Sequence, residues 1–282
     1  MKELLQIERT VIDAGLKREY KFFQISDAHI SYTDEKSSEI DINDHERSKK
    51  GWDRMKVDFA KQFSEHYDSR YDVEAHALFE ALLEHSVDFG ADAVIFSGDI
   101  MDRVTDSNIR YLKKLIKKHP QRVVYCPGNH AHHDEYGAHR NMYDRFKGLI
   151  DNPEFDVVEL DDLKIITIDN GTKKITQNQL NRLKEELSKN KKILLVLHAP
   201  IKLGEFGEVM GNKLGNYFLL GTAEDGENAI ELVRLIEEND NRLIAVLAGH
   251  IHGSVGYPVT QGLMQYTTSS ALIGKGREII IK

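Results

Sequence analysis

The chain has 282 residues, of which 40% are apolar and 30% are charged, a composition typical of globular proteins and not of disordered or fibrous ones. Its 46 acidic residues outnumber its 38 basic residues and give a net charge of −8, so the overall charge does not favour a nucleic-acid partner. The single cysteine, Cys126, excludes an intrachain disulfide and favours a reducing compartment. We expect one domain over residues 1–282 that carries an insertion.

The sequence gives no sign of membrane insertion or secretion. No segment approaches the roughly 18 consecutive apolar residues of a transmembrane helix. The first twenty residues mix charged and apolar side chains instead of forming the apolar core of a signal peptide. These features predict a cytoplasmic protein without a membrane partner, and they leave its oligomeric state open.

The N-terminal part of the chain contains a predicted hairpin followed by a polar insertion. Apolar segments at Leu4–Asp13 and Glu19–Ser26 flank Gly15 and predict two paired strands. The insertion covers about residues 31–72. Within it, helical spacing relates four apolar residues, Trp52, Met55, Phe59 and Phe63. This pattern predicts a helix, which either packs as an amphipathic helix on the body of the protein or caps an active site.

Five short apolar runs, each followed by polar residues, predict strands that are buried on both faces. In chain order they are Lys21–Ser26 before Asp27 and His29, Ala93–Ser97 before Asp99 and Asp102, Arg122–Cys126 before Asn129 and His130, Ile193–Leu197 before His198, and Leu243–Ala248 before His250 and His252. Ligands of open α/β sheets bind beyond the carboxyl ends of the strands. The five polar clusters therefore predict a single site.

Helical patterns alternate with these strands, which indicates the α/β class. The predicted helices are Val73–Phe89, Ser107–Lys118, a helix that begins at the capping pair Thr176 and Gln179, and Glu227–Glu238. The glycine-rich segment Ile201–Gly226 predicts a long loop of the kind that lines functional sites. Three further strands are predicted at the C-terminus, at Val255–Val259, Leu263–Thr268 and Glu278–Ile281.

The polar clusters contain the side chains that bind transition metals. Imidazole and carboxylate groups suit Zn, Mn and Fe, and the absence of thiolates argues against a structural zinc finger. Alternate residues of an extended strand point to the same side, so Asp27 can converge with His29, and His250 with His252. Each short motif taken alone is weak, because D-x-H or G-N-H arises readily by chance. The ordered set at successive strand ends is the stronger signal.

The series D-x-H, GDxxD, GNH, H and GHxH, which runs from Asp27 to His252, resembles the calcineurin-like metallophosphoesterase superfamily. The resemblance implies an α/β fold of two packed mixed β-sheets flanked by helices, a four-layer αββα sandwich. It also implies a centre of two transition metal ions (Mn, Fe or Zn), divalent or trivalent. The implied metal ligands are Asp27, His29, Asp99, Asn129, His198, His250 and His252, with Asp99 bridging the two ions.

The same resemblance implies the roles of the remaining site residues. His130 is the general acid that faces the leaving group, and Asp102 orients it. Arg103 and Asn129 contact the phosphate of the substrate. Two cations about 3.5–4 Å apart can lower the pKa of a bridging water and clamp a phosphate, so we predict attack by a metal-bridging hydroxide on a small-molecule phosphate ester or nucleotide.

One departure from the family pattern leaves the substrate class open. Many relatives have an acidic residue after GNH, whereas this chain has Ala131, followed by His132 and His133. A metal-dependent nuclease is the alternative enzyme, although it would need a basic track beside the site. A non-catalytic binding module of the same fold is the other alternative, and the complete set of predicted ligands together with His130 argues against it.

Overall fold

The computed structural model describes residues 1–62 and 73–282, in which we number eleven strands and six helices. The strands are β1 (Gln6–Ile12), β2 (Tyr20–Ile25), β3 (Ala93–Ser97), β4 (Arg122–Cys126), β5 (Phe155–Glu159), β6 (Leu163–Ile168), β7 (Lys192–Val196), β8 (Leu243–Ala248), β9 (Val255–Pro258), β10 (Met264–Thr267) and β11 (Lys275–Ile281). The helices are α1 (Glu39–Gln62), α2 (Ala75–Phe89), α3 (Asp106–Lys118), α4 (Gln177–Ser188), α5 (Gly204–Leu214) and α6 (Glu227–Glu238). Among the described helices, none combines the length and the apolar character that crossing a bilayer requires.

The strands form two mixed sheets. The first has the order β1-β11-β2-β3-β4, and the second has the order β5-β6-β7-β8-β10-β9. Strands β2, β3 and β4 run parallel, as do β6, β7, β8 and β10. The carboxyl ends of the parallel strands therefore lie at one edge of each sheet, which is where the predicted polar clusters occur.

The two sheets pack face to face, and helices cover their outer faces. Phe22 and Ile95 of the first sheet belong to the same buried cluster as Leu194 and Leu247 of the second. A second cluster joins the first sheet to α2 and α3, and a third joins the second sheet to α4 and α6. The α/β class and the αββα sandwich expected from the resemblance are confirmed.

Helix α4 shows how local sequence sets an element boundary. The Thr176 hydroxyl accepts a hydrogen bond from the backbone N–H of Gln179, and the Gln179 side chain accepts one from the N–H of Thr176. This reciprocal capping satisfies two backbone donors that the first helical turn leaves unpaired. The predicted start of the helix at Thr176 and Gln179 is correct.

The N-terminal hairpin prediction is wrong. Strands β1 and β2 both form, but β11 lies between them, parallel to β1 and antiparallel to β2. Alternating apolar patterns reveal that a segment is extended, whereas the choice of partner depends on residues far along the chain. Here the partner comes from the other terminus.

The expected loop at Ile201–Gly226 contains helix α5, with Phe206 and Met210 buried. Its glycines lower the helix propensity, but packing of this apolar face stabilises the helix. Strands β5 and β6 were not identified from the sequence. The helix predicted in the insertion is present as α1, while Phe63 and the side chain of Phe59 lie outside the described residues.

Candidate metal centre

The carboxyl ends of β2, β3, β4, β7 and β8 meet at one place and bring the predicted ligands together. Two groups of predicted metal ligands there have donor atoms within 4.8 Å of one another: Asp27, His29 and His252, and Asp99, His198 and His250. A third group with the same spacing consists of His29, Asp102 and His130. Asn129 and His130 lie in the loop after β4 that contacts the second group. Asp27 and His252, which are 225 positions apart in the chain, thus share one site.

The first group is almost fully buried. Nε2 of His29 lies 3.0 Å from Nε2 of His252. Oδ1 of Asp27 is 3.3 Å from Nε2 of His252 and 3.9 Å from Nε2 of His29. Two imidazole nitrogens and a carboxylate oxygen therefore face one small volume, a donor set that suits a transition metal ion.

The second group has the same chemistry and adds an amide. Nε2 of His198 lies 3.1 Å from Oδ2 of Asp99 and 3.1 Å from Oδ1 of Asn129. The ring of His250 lies 4.9 Å from that of His198 between centroids. The other oxygen of Asp99, Oδ1, accepts a hydrogen bond of 2.8 Å from the backbone N–H of His130, which ties the β3 and β4 loops together.

Further contacts orient these donors in the way that metal ligands require. Nδ1 of His198 is 2.9 Å from the carbonyl oxygen of Ser97, so the ring donates from Nδ1 and Nε2 faces the site. Hydrogen bonding of the remote nitrogen to a carbonyl is typical of metal-bound histidine. Asp27 is held in turn by the Ser26 hydroxyl at 2.6 Å and the backbone N–H of His250 at 3.0 Å. The donor set therefore fits two transition metal ions.

The backbone at the site differs from the extended geometry that the sequence analysis assumed. Strand β2 ends at Ile25, and left-handed φ angles occur at five of the predicted ligands: Asp27 (53°), His29 (43°), Asp99 (50°), His250 (69°) and His252 (52°). The argument from alternation along a strand is therefore wrong: Asp27 and His29 do share one group, whereas His250 and His252 belong to different groups. Non-glycine residues in this region cost of order 1–3 kcal/mol each, and such residues cluster at functional sites.

His130 and Asp102 form a pair beside both groups. Nδ1 of His130 lies 2.8 Å from the backbone carbonyl oxygen of Asp102 and 3.1 Å from its Oδ1. Burial lowers the pKa of His130, but the nearby charges of Asp99 and Asp102 outweigh it and raise that pKa to about 9. The imidazole is thus fixed through Nδ1, which leaves Nε2 free to act on a bound molecule.

Helix α1 covers the pair formed by His130 and Asp102. The sequence pattern does not predict this contact. The indole of Trp52 stacks on the ring of His29, with 3.8 Å between centroids. The guanidinium of Arg47 forms an ion pair with Asp102 at 2.5 Å. Helical spacing identified Trp52 as a packing residue, whereas no signal in the sequence distinguished Arg47 from the other charged residues of the insertion.

Arg103 lies next to this helix. Its Nη1 is 3.1 Å from Oδ1 of Asp44 in α1 and donates to the carbonyl of Glu135 at 3.3 Å. These contacts engage the guanidinium with neighbouring protein groups. The phosphate contact expected from the resemblance stays a prediction.

A cleft of about 910 Å³ lies next to the second group, and Asn129 and His250 are among its lining residues. His133 also lines it and contacts His139, with 2.8 Å between their Nε2 atoms. His132 is buried in the wall, where Nε2 lies 2.8 Å from Oδ2 of Asp169. Of the two histidines that follow Ala131, His133 faces the cleft and His132 forms a buried pair.

Comparison with known proteins agrees with this geometry. Residues 20–254 match the model of the calcineurin-like phosphoesterase family. The chain belongs to this family. The matched region includes every residue of the two groups, and the family consists of phosphoric ester hydrolases that bind two metal ions.

Two similar sequences and one solved structure illustrate the relationship. The chain is 28% identical over 170 residues to a probable glycerophosphodiester phosphodiesterase of Arcobacter nitrofigilis, covering 57% of this chain and 56% of that protein. It is 27% identical over 207 residues to a probable cyclic nucleotide phosphodiesterase of Rhodococcus erythropolis, covering 67% and 62%. The alignments thus span less than two thirds of either relative. A dimetal phosphatase from Danio rerio has the same fold, with a TM-score of 0.54, 12% identity, and coverage of 90% and 88%.

Proposed function

We propose that the protein is a dinuclear-metal-dependent hydrolase of small phosphodiesters, in which His130 protonates the leaving group. The observation that carries the proposal is the adjacency of the two donor groups to the pair formed by His130 and Asp102. The group of Asp27, His29 and His252 would hold one ion. The group of Asp99, His198 and His250, with Asn129, would hold the second ion, and the bridging role of Asp99 is part of the proposal.

Two ions bound there would lower the pKa of a water molecule and neutralise phosphate oxygens. The protein residues supply orientation and a proton. Asp102 fixes His130 through Nδ1, so that Nε2 can deliver a proton to the departing oxygen. Ser97, through its carbonyl oxygen, and Ser26, through its hydroxyl, hold the metal-binding side chains in place.

A diester preference is supported by the two relatives, both of which are named as phosphodiesterases. The cleft beside Asn129 and His250 also offers room for a group on each side of the phosphorus atom. Among the described residues, the lining mixes basic and acidic side chains and does not form a long basic track, so a small diester is favoured over a nucleic acid.

The test is to measure kcat of wild type and His130→Ala on methyl phosphodiesters with leaving groups of different basicity, in the presence of Mn²⁺. Loss of a general acid typically costs about 10²- to 10⁴-fold in rate. The cost should be large for a poor leaving group such as an alcohol and small for 4-nitrophenol, which departs without protonation. His119→Ala, a histidine just beyond helix α3 that does not line the cleft, serves as the control. An equal loss on both leaving groups would exclude His130 as the acid.

A further inference from the structure

The cleft next to the proposed metal centre is larger than a phosphate group requires. Its volume is about 910 Å³, whereas pockets of roughly 300–1,000 Å³ bind whole drug-sized ligands. Asn129 and His250 of the proposed metal centre line it, and so do Lys173 and the exposed Tyr217. We call the part of the cleft around Tyr217 and Lys173 the outer cleft. The cleft therefore leads from the reacting phosphate toward a second recognition surface.

Tyr217 is the most exposed aromatic side chain of that surface, with 79% of its area accessible. It belongs to a 3-10 turn, Asn216–Phe218, that follows helix α5. The ring of the next residue, Phe218, lies 5.6 Å from the ring of His250 between centroids. Because Phe218 packs against a predicted metal ligand, Tyr217 is held at a fixed distance from the centre with its ring open to solvent.

Lys173 approaches this ring from the opposite wall. Its Nζ lies 5.4 Å from the centroid of Tyr217 and 3.4 Å from a carboxylate oxygen of Asp225. The Lys173 backbone has a left-handed φ of 59°, a conformation that non-glycine residues seldom adopt. Such a conformation persists only where the surrounding structure enforces it.

The loop that carries Lys173 is fixed to the site at two points. The buried side chain of Asn170 accepts hydrogen bonds from the backbone N–H groups of His198 and Ala199, and donates one to the carbonyl of Ala199. Gly171 packs so closely on the backbone of Gly128 and Asn129 that a Cβ atom there would lie 2.4 Å from the Gly128 carbonyl carbon. The position of Lys173 is thus set by the same loops that present the predicted metal ligands.

The outer wall carries positive charge although the whole chain is acidic. Lys174 is exposed beside Lys173 and makes no ion pair with any residue in the described ranges. Glu154, an acidic residue of the lining, accepts hydrogen bonds from the Thr176 hydroxyl and the Asn178 amide. An anion in the outer cleft would therefore meet the ammonium group of Lys174, and next to the ring of Tyr217 that of Lys173, which it would share with Asp225.

We propose that the outer cleft binds the nucleoside part of a nucleotide phosphodiester, with the base stacked on Tyr217 and an additional phosphate next to Lys173 and Lys174. This inference rests on the proposed function, because it assigns the substrate class of that site. Purine and pyrimidine rings stack on aromatic side chains, and the loss of one such contact weakens binding about 5- to 150-fold. An aliphatic diester has no group that uses Tyr217.

The test compares two substrates that release the same leaving group, 4-nitrophenyl thymidine 5′-phosphate and methyl 4-nitrophenyl phosphate. In Tyr217→Ala, kcat/KM should fall about 5- to 150-fold for the thymidine ester and less than about twofold for the methyl ester. Tyr217→Phe should retain the wild-type preference, because it keeps the ring. Since Tyr217 is exposed, the alanine variant is expected to fold normally, which its thermal unfolding will verify.

The lysines are tested separately by competitive inhibition with adenosine monophosphate and adenosine diphosphate. Lys173→Gln combined with Lys174→Gln should weaken inhibition by the diphosphate by about threefold or more relative to the monophosphate. Equal effects of Tyr217→Ala on the two esters, or no effect on either, would overturn the nucleoside site while leaving the proposed function intact. If the wild-type protein loaded with Mn²⁺ hydrolyses neither ester, the proposed function itself fails.

Discussion

Nε1 of Trp52 donates a hydrogen bond of 2.8 Å to Oδ1 of Asp102, the oxygen that also lies 3.1 Å from Nδ1 of His130. The second oxygen of Asp102 is bound by Arg47. Both oxygens of this buried carboxylate are thus engaged by helix α1, which belongs to the insertion and not to the sandwich. The helix therefore contributes directly to the position of the proposed acid.

Replacement of Trp52 by Phe should lower kcat on a diester with a poor leaving group. Phenylalanine retains an aromatic ring to stack on His29 but loses the N–H that holds Asp102. A hydrogen bond to a charged group contributes about 1.5–3 kcal/mol, so we expect a loss of roughly tenfold or more. Met55→Ala, a change at a more exposed position of the same helix, is the control for helix stability.

A double-mutant cycle separates positioning from a general loss of structure. If Trp52 acts through Asp102 and His130, the Trp52→Phe change should have little further effect in a His130→Ala background. Residues that act as a unit show such non-additive effects. Independent, additive losses would mean that Trp52 does not act through the acid.

Metal binding should stabilise the folded protein as well as activate the enzyme. Asp27, His29 and His252 are buried with their donor atoms facing one another, so an ion bound there would be held by the folded chain and not by the unfolded one. An ion at about 100 times its dissociation constant adds about 2.7 kcal/mol to the free energy of unfolding. We therefore expect Mn²⁺ to raise the thermal midpoint of the chelator-treated protein by several degrees.

Asp27→Asn should reduce that increase, because it removes the anionic donor of the first group and leaves only the second group intact. Asp144→Asn, which changes an exposed carboxylate, should leave the increase unchanged. Differential scanning fluorimetry with and without Mn²⁺ measures both. The same increase in Asp27→Asn as in wild type would place the ion elsewhere.

The sequence was sufficient for the fold class and for locating polar residues that converge after the strands. It was insufficient for the contacts that surround them. The polar residues after buried strands, such as Asp99 and His198, could be located because parallel strands deliver their ends to one edge. The left-handed backbone at Asp27 and His29 could not be predicted, because no glycine marks those positions. The pairing of β11 with β1 and the contact of Trp52 with Asp102 depend on tertiary packing between distant segments, which local patterns do not encode.

Gly171→Ala should disturb the loop that carries Asn129 and His130. The added Cβ would lie 2.4 Å from the carbonyl carbon of Gly128 and 2.6 Å from the nitrogen of Asn129, and backbone cannot rotate away as a side chain can. Overpacking of this kind costs about 1–3 kcal/mol, and we expect kcat to fall with stability.

Gly51→Ala is the matched control, because a Cβ at Gly51 meets nothing within 4 Å. Gly51 lies inside helix α1, where alanine is favoured over glycine by about 0.5–1 kcal/mol. Denaturant unfolding should therefore show Gly51→Ala at least as stable as wild type and Gly171→Ala less stable. If Gly171→Ala is as stable as wild type, the loop of Gly171 can move away from the loop of Gly128 and Asn129 at little cost in free energy.

The buried pair of His132 and Asp169 should make stability depend on pH. Burial lowers the pKa of His132, but the hydrogen bond and the charge of Asp169 outweigh it and raise that pKa above its ordinary value of 6.5. A histidine with a raised folded-state pKa stabilises the protein fully below its unfolded-state pKa, and this stabilisation is lost as the pH rises through the folded-state pKa. The free energy of unfolding of wild type minus that of His132→Gln should thus be largest below about pH 6.5 and decrease above it.

Tyr143→Phe is the control for this pair, because the Tyr143 hydroxyl donates to the same oxygen of Asp169 at 2.8 Å. Tyr143→Phe removes a partner of Asp169 but keeps the imidazole of His132. The free energy of unfolding of wild type minus that of Tyr143→Phe should therefore decrease little above about pH 6.5, unlike the corresponding difference for His132→Gln. Urea unfolding at a series of pH values measures both differences. A His132→Gln difference that stays constant with pH would show that the imidazole gains no proton on folding, and the raised pKa would then be incorrect.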